Sequence, residues 1–241
     1  MSREHIPKTV NSITDEQYGP QTDHEIALQD RVIYIVGPIK LQNSLLASFL
    51  EQETGIKCHI VEKFNRLDTN AEVEQNQSRL ILWDCFGKNL HTCLLEYEAH
   101  QDKISLQDFT ALYNLSSGLG IEKQFLQKGV HGFFYDHDTE EIFAKGISAI
   151  FDGELWIPRR IMAEYIMSKK KTNPYQKRQP VNLTPREIDI LSLVASGATN
   201  TEIAEELYIS PCTVKTHLYN IYKKINVPNR LQATLWAAEN L

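Results

Sequence analysis

Gly197-Ala-Thr-Asn-Thr-Glu-Ile-Ala-Glu-Glu-Leu-Tyr-Ile-Ser-Pro-Cys-Thr-Val-Lys-Thr-His-Leu218 contains a helix stop, two helix starts and the opening of an amphipathic face. Gly197 ends one helix, because glycine takes the left-handed exit conformation without steric cost. Thr199 with Glu202 three residues on forms a capping box that starts the next. Ser210-Pro211 starts another, with proline where its missing N–H costs nothing. Outward along the chain the chemistry recurs: Thr184, Pro185 and Glu187 on one side, Asn229 and Gln232 on the other. Residues 183–241 therefore predict an all-α module of four short helices.

The third of these helices, from about Pro211 to Asn226, carries Val214, Leu218, Ile221 and Ile225 at helical spacing, one apolar face for packing. At about 100° per residue, Thr216, Tyr219, Asn220 and Lys223 point the other way, with Lys215 and His217 on the flanks. Such a helix suits the major groove of double-stranded DNA, where these side chains meet base edges and phosphates. Thr199, Asn200, Thr201 and Thr213 stand at helix N-termini, where N–H groups and hydroxyls hold phosphate. Leu231 and Leu235, four apart on the last helix, fit either pairing between two copies or the module's own core.

Toward the N-terminus the pattern changes. Residues 1–30 are polar, without a sustained apolar period, and read as a flexible arm. From Arg31, short apolar runs (31–36, 56–61, 80–83, 109–115 and 131–135) alternate with helical stretches, one of them placing Leu41, Leu45, Ala47, Phe49 and Leu50 mostly on one face. Near-continuous apolar runs and β-α alternation predict a doubly wound α/β domain of five parallel strands. It ends near Ile150, and an extra helix follows over 157–168. The domain spans 31–168, and residues 169–182, basic and with two prolines, read as a linker.

The net charge of −6 runs against a nucleic-acid partner over the whole chain, but the acids of the helical module fall mainly on its other helices. Lys215, Lys223, Lys224 and the linker lysines remain for the DNA side. The four cysteines form no C-x-x-C pair, so neither a zinc site nor a disulfide framework is expected, and reduced thiols suit the cytoplasm. No stretch approaches the ~18 apolar residues of a membrane span. There is no G-x-G-x-x-G after the first strand and no nucleophile, base and acid set, which argues against an enzyme.

The stretch from Leu183 through Lys224-Ile-Asn226 resembles the LuxR-type (NarL/FixJ) DNA-binding domain. The resemblance implies Lys215, Thr216 and Tyr219 as the main groove-facing residues, with Tyr219 standing where a second basic residue is frequent. The α/β domain resembles a receiver, and Asp84 occupies the phosphoacceptor position. The first strand instead runs into Gly37-Pro38-Ile39-Lys40 with no acidic pair for a metal, and no lysine follows the fifth. That implies a degenerate receiver with Asp84 vestigial. Phosphorylation-driven or ligand-independent two-component regulation is the alternative; an acyl-lactone sensor does not suit five β-α units.

From about Arg31 onward the chain resembles the VpsT/CsgD group of biofilm-matrix regulators. That resemblance implies control of extracellular-matrix genes, and in one branch a Trp-x-x-Arg motif that binds cyclic di-GMP and stabilises a homodimer. Trp156-Ile157-Pro158-Arg159 matches at Trp and Arg, Pro158 replaces a hydroxyl residue, and Lys145 falls at a supporting basic position. Ile161, Met162, Tyr165 and Ile166 supply the implied dimer face. The competing reading of the same residues makes Trp156 an anchor for the extra helix and Arg159 a surface charge.

Overall fold

A computed structural model describes residues 31–67, 77–105, 107–118, 120–169 and 181–241. The expected arm 1–30 and most of the linker lie outside these residues. Five parallel strands, β1 (Arg31–Val36), β2 (Lys57–Val61), β3 (Ser78–Asp84), β4 (Phe109–Leu115) and β5 (Gly132–Tyr135), lie in the order β2-β1-β3-β4-β5. The doubly wound fold expected from the apolar runs is present. Successive side chains along a strand point to opposite faces. Ile81 and Trp83 therefore enter one core with Leu112 and Phe133, while Leu80 and Leu82 enter the other with Ala111 and Phe134. Two covered faces explain why these strands read as unbroken apolar runs. Edge strand β2 is different: Lys57, His59 and Ile60 are exposed.

Helices α1 (Lys40–Thr54), α2 (Leu90–Glu98), α3 (Glu122–Gln127) and α4 (Glu140–Phe151) accompany the sheet. Between β2 and β3 the described chain holds only a 3-10 turn at Phe64–Arg66. The apolar face expected for α1 is corrected. Asn43, Ala47 and Leu50 point inward, whereas Leu41 and Leu45 are 73% and 66% exposed. Polar chemistry sets this rotation: the Asn43 amide donates to the Gly37 carbonyl at 2.9 Å and accepts from the Tyr113 hydroxyl at 2.8 Å.

After α4 the chain returns along the sheet edge. Trp156 forms an isolated parallel bridge with Gly132, its N–H donating to the His131 carbonyl at 2.9 Å and its carbonyl accepting from the Phe133 N–H at 3.0 Å. This bridge delivers the chain to α5 (Arg159–Lys169), the expected extra helix.

The C-terminal domain comprises α6 (Pro185–Ser196), α7 (Asn200–Leu207), α8 (Pro211–Ile225) and α9 (Arg230–Asn240) around its own core. It docks on the α/β domain through α9. Leu231 and Leu235 pack into the core that holds Phe125, Ile161 and Tyr165, and Asn229 Nδ2 donates to the Leu126 carbonyl at 3.0 Å. Neither role expected for Leu231 and Leu235 is the one found: they pack inside the chain, against the other domain rather than in the helical module's own core.

Candidate nucleic-acid interface

The expected caps fix the helical domain. The Thr184 hydroxyl accepts from the Glu187 N–H at 3.3 Å, and the Glu187 carboxylate accepts from the Thr184 N–H at 2.8 Å. Thr199 and Glu202 repeat this at 3.2 and 2.6 Å. Ser210 accepts from the Thr213 N–H and Asn229 from the Gln232 N–H, both at 3.0 Å. Gly197 exits α6 at φ 95°. Each bond satisfies one of the N–H groups that a helix start leaves without an intrahelical partner.

On α8, Val214, Leu218, Ile221 and Ile225 are buried in the helical core, while Thr216, Asn220 and Lys223 are exposed and Lys215, His217 and Tyr219 half-buried. The expected two-faced helix is present. Lys224 leaves the set of cations facing outward: its ammonium binds both oxygens of Glu187 at 2.7 Å. Burial acts to raise the Glu187 carboxyl, but Lys224 and the two Thr184 hydrogen bonds outweigh it and hold the group below the usual carboxylate range.

The outward residues of α8 do not form one open surface in this arrangement. Lys215 Nζ donates to Ser78 Oγ at 2.5 Å and lies 5.7 Å from the centre of the Phe109 ring. Thr216 and Tyr219 line a cleft against Phe109 and His131 of the α/β domain. Asn220 and Lys223 face solvent. The helix-start residues divide similarly. Thr201 and Thr213 are exposed, Thr199 is used as a cap, and Asn200 is 3% exposed. The expectation of Asn200 as a phosphate contact is corrected here: its N–H donates to the Asp152 carbonyl at 3.1 Å, and its side chain fills the space over Gly153.

The Trp156 region is built as an anchor. The half-buried indole stacks on Phe134 at 6.5 Å, and Gly146 leaves room for it, since a Cβ there would stand 2.9 Å from Trp156 and 2.5 Å from Phe134. Ile157 packs on the core, and the Pro158 carbonyl accepts from the Met162 N–H at 3.1 Å, opening α5. Arg159 is exposed, with no ion pair among the described residues. Lys145 is bound to Glu141 at 2.9 Å on the surface of α4. The expected dimer face is corrected at two of its four residues: Ile161 and Tyr165, 4% and 0% exposed, belong to the core of their own chain. Met162 and Ile166 are half-buried.

Asp84 is fully buried at the end of β3. One carboxylate oxygen accepts from the Phe86 N–H at 2.9 Å and Asn114 Nδ2 at 2.8 Å. Gly37 lies so close that a Cβ there would stand 2.8 Å from the other oxygen. Ser116, the hydroxyl after β4, is bound to Asp136 at 2.9 Å. A phosphoryl donor has no approach to Asp84 in this arrangement.

Sequence reasoning missed Arg230, Tyr222 and His131, which line the cleft between the domains. The only local signal was an arginine immediately after a helix cap.

The chain thus joins a receiver-like α/β domain to a four-helix domain with one two-faced helix. Residues 181–237 match the family described as bacterial regulatory proteins, luxR family. Among curated relatives, 112 residues are 40% identical to the CsgBAC operon transcriptional regulatory protein of Escherichia coli K12, covering 46% of this chain and 51% of that one. The probable csgAB operon transcriptional regulatory protein of Salmonella typhimurium LT2 is 41% identical over the same length and shares. The chain thus spans about half the length of the curated relatives it matches. Among solved structures, the regulatory domain of the master biofilm regulator CsgD aligns with 56% of this chain and 98% of its own, at 16% identity and a TM-score of 0.45.

Proposed function

We propose that this protein is a sequence-specific DNA-binding transcription regulator of extracellular-matrix genes, with α8 as the helix that enters the major groove. The observation that carries the reading is α8 itself. In a luxR-family domain it buries one face and offers Lys215, Thr216, Tyr219, Asn220 and Lys223 on the other. The matrix assignment rests on the operon regulators to which the matched half is similar. Because Lys215, Thr216 and Tyr219 face the α/β domain here, binding requires the domains to part, and DNA affinity is reduced by the fraction of molecules closed. Fluorescence anisotropy with matched and scrambled promoter duplexes tests this: preference for the matched duplex is expected, and equal affinity would refute the reading.

Cyclic di-GMP is the regulatory ligand in this proposal, acting at Trp156 and Arg159 to favour a homodimer. The exposed Arg159 guanidinium at the start of α5 supports it, since such a fork suits phosphate and stacks on a purine. Trp156, half-buried against Phe134, stands three residues before Arg159, and the half-buried Ile166 is what α5 retains for a partner. Calorimetric titration with cyclic di-GMP is the test. Heat with wild type and none with Arg159→Ala is expected; no heat with either removes the ligand and leaves the DNA reading intact.

A further inference from the structure

The cleft between the domains holds a cavity of about 100 Å³ that opens to solvent, room for a ligand no larger than a single ring with its substituent. Its walls are aromatic: Phe109 and His131, in edge contact at 5.2 Å, on one side, and Tyr219 and Tyr222 on the other. Among the described lining residues, Arg230 is a cation without a carboxylate beside it. The one acid among the described lining residues, Asp108, is taken by Arg79, which donates to both carboxylate oxygens at 2.7 and 2.6 Å. Burial pushes His131 down to about 4, so the imidazole contributes no charge near neutrality. Arg230 remains cationic.

Arg230 is the decisive group. Its guanidinium donates to two neutral acceptors, the Ala198 carbonyl and Asn200 Oδ1, and among the described residues no carboxylate is within ion-pair distance of it. Burial disfavours its charge, and Glu154 and Glu202 offset that only from a distance. A half-buried guanidinium without an anionic partner, beside an aromatic-walled cavity, matches a planar organic anion: the fork takes the carboxylate and the rings take the body.

From this we infer that the cleft is a binding site for a small aromatic carboxylate, held by Arg230 and walled by Phe109, Tyr219 and Tyr222. The second half of the inference rests on the DNA reading above. The ligand occupies the side of α8 that would face bases, so it holds the domains together and opposes DNA, and by linkage DNA opposes the ligand to the same degree.

Benzoate is the probe, with acetate, inorganic phosphate and benzyl alcohol as comparators, in calorimetric titrations of the full chain. Benzoate is expected to bind at least about tenfold tighter than each comparator. Arg230→Gln and Tyr219→Ala are each expected to weaken it about tenfold, and Arg66→Gln, the same charge change at an exposed distant site, to leave it unchanged. Phosphate binding as well as benzoate, or benzoate binding unaltered by Tyr219→Ala, would overturn the site. In anisotropy, benzoate should lower affinity for the matched duplex in wild type and not in Arg230→Gln. If benzoate binds and DNA affinity does not change, the coupling fails while the site stands. If no duplex is preferred with or without benzoate, it is the DNA reading that fails.

Discussion

The helical domain positions its outward residues by contacts within a few residues of sequence, whereas the α/β domain positions its own by contacts far along the chain. Thr184 and Glu187, Thr199 and Glu202, and Ser210 and Thr213 are each three apart. Trp156 instead depends on Phe134 and Gly146, Asp84 on Asn114 and Gly37, and Asn43 on Tyr113, 70 residues away. Local bonds fix which face of α8 turns outward. They do not fix what that face meets, which here is Ser78 and Phe109 of the other domain.

Local caps set where α8 starts and which way it faces, while packing on the helical core supplies most of its stability. Ile221→Ala removes a fully buried side chain from the helical core and should cost about 2–5 kcal/mol in denaturant unfolding, the largest effect expected. A loss comparable to that of a cap would mean that packing contributes little there. Gly146→Ala sharpens the other half. Alanine favours a helix interior over glycine by about 1 kcal/mol, yet its Cβ would meet Phe134 and Trp156, so the variant should lose about 1–3 kcal/mol and alter tryptophan fluorescence. A gain in stability would show that Trp156 is not held as an anchor. Thr184→Ala should cost about 1 kcal/mol, confined to the helical domain.

Much of this was readable in sequence. The four caps, the Gly197 exit and the buried face of α8 all obey short-range rules, and all are present. The strands other than β2 were readable because a strand covered on both faces has few polar alternate positions, as in Leu80-Ile-Leu-Trp83. Apolar periodicity misplaced the inner face of α1 because a buried asparagine, Asn43, outcompetes Leu41 and Leu45 for the interior through its hydrogen bonds. It misjudged Ile161 and Tyr165 because a helix with apolar residues on one side does not say whether its own chain or a second copy covers them. Asn200 and Arg230 were out of reach for a different reason: Asn200 meets the Asp152 carbonyl of the other domain, and Arg230 meets Ala198 and Asn200 some 30 residues back, which no local spacing encodes.

The smallest expected effect concerns acid. Glu187 is held below its ordinary range in the folded chain, so its contribution is present above the unfolded value, near 4.5, and is lost as pH falls through the folded value. Glu187→Gln should therefore flatten the acid limb of stability against pH while lowering the neutral plateau, read by thermal unfolding from pH 7 downward. An unchanged acid limb would place the acid sensitivity elsewhere.

The most direct test of the central claim is anisotropy of the full chain on matched and scrambled promoter duplexes across a salt series, with wild type, Lys215→Ala and Asn220→Ala. The account predicts at least about tenfold preference for the matched duplex in wild type, and a salt slope reduced by about one for Lys215→Ala. Asn220→Ala should narrow the preference rather than weaken all binding equally. Equal affinity for both duplexes, unaltered by either substitution, would contradict it.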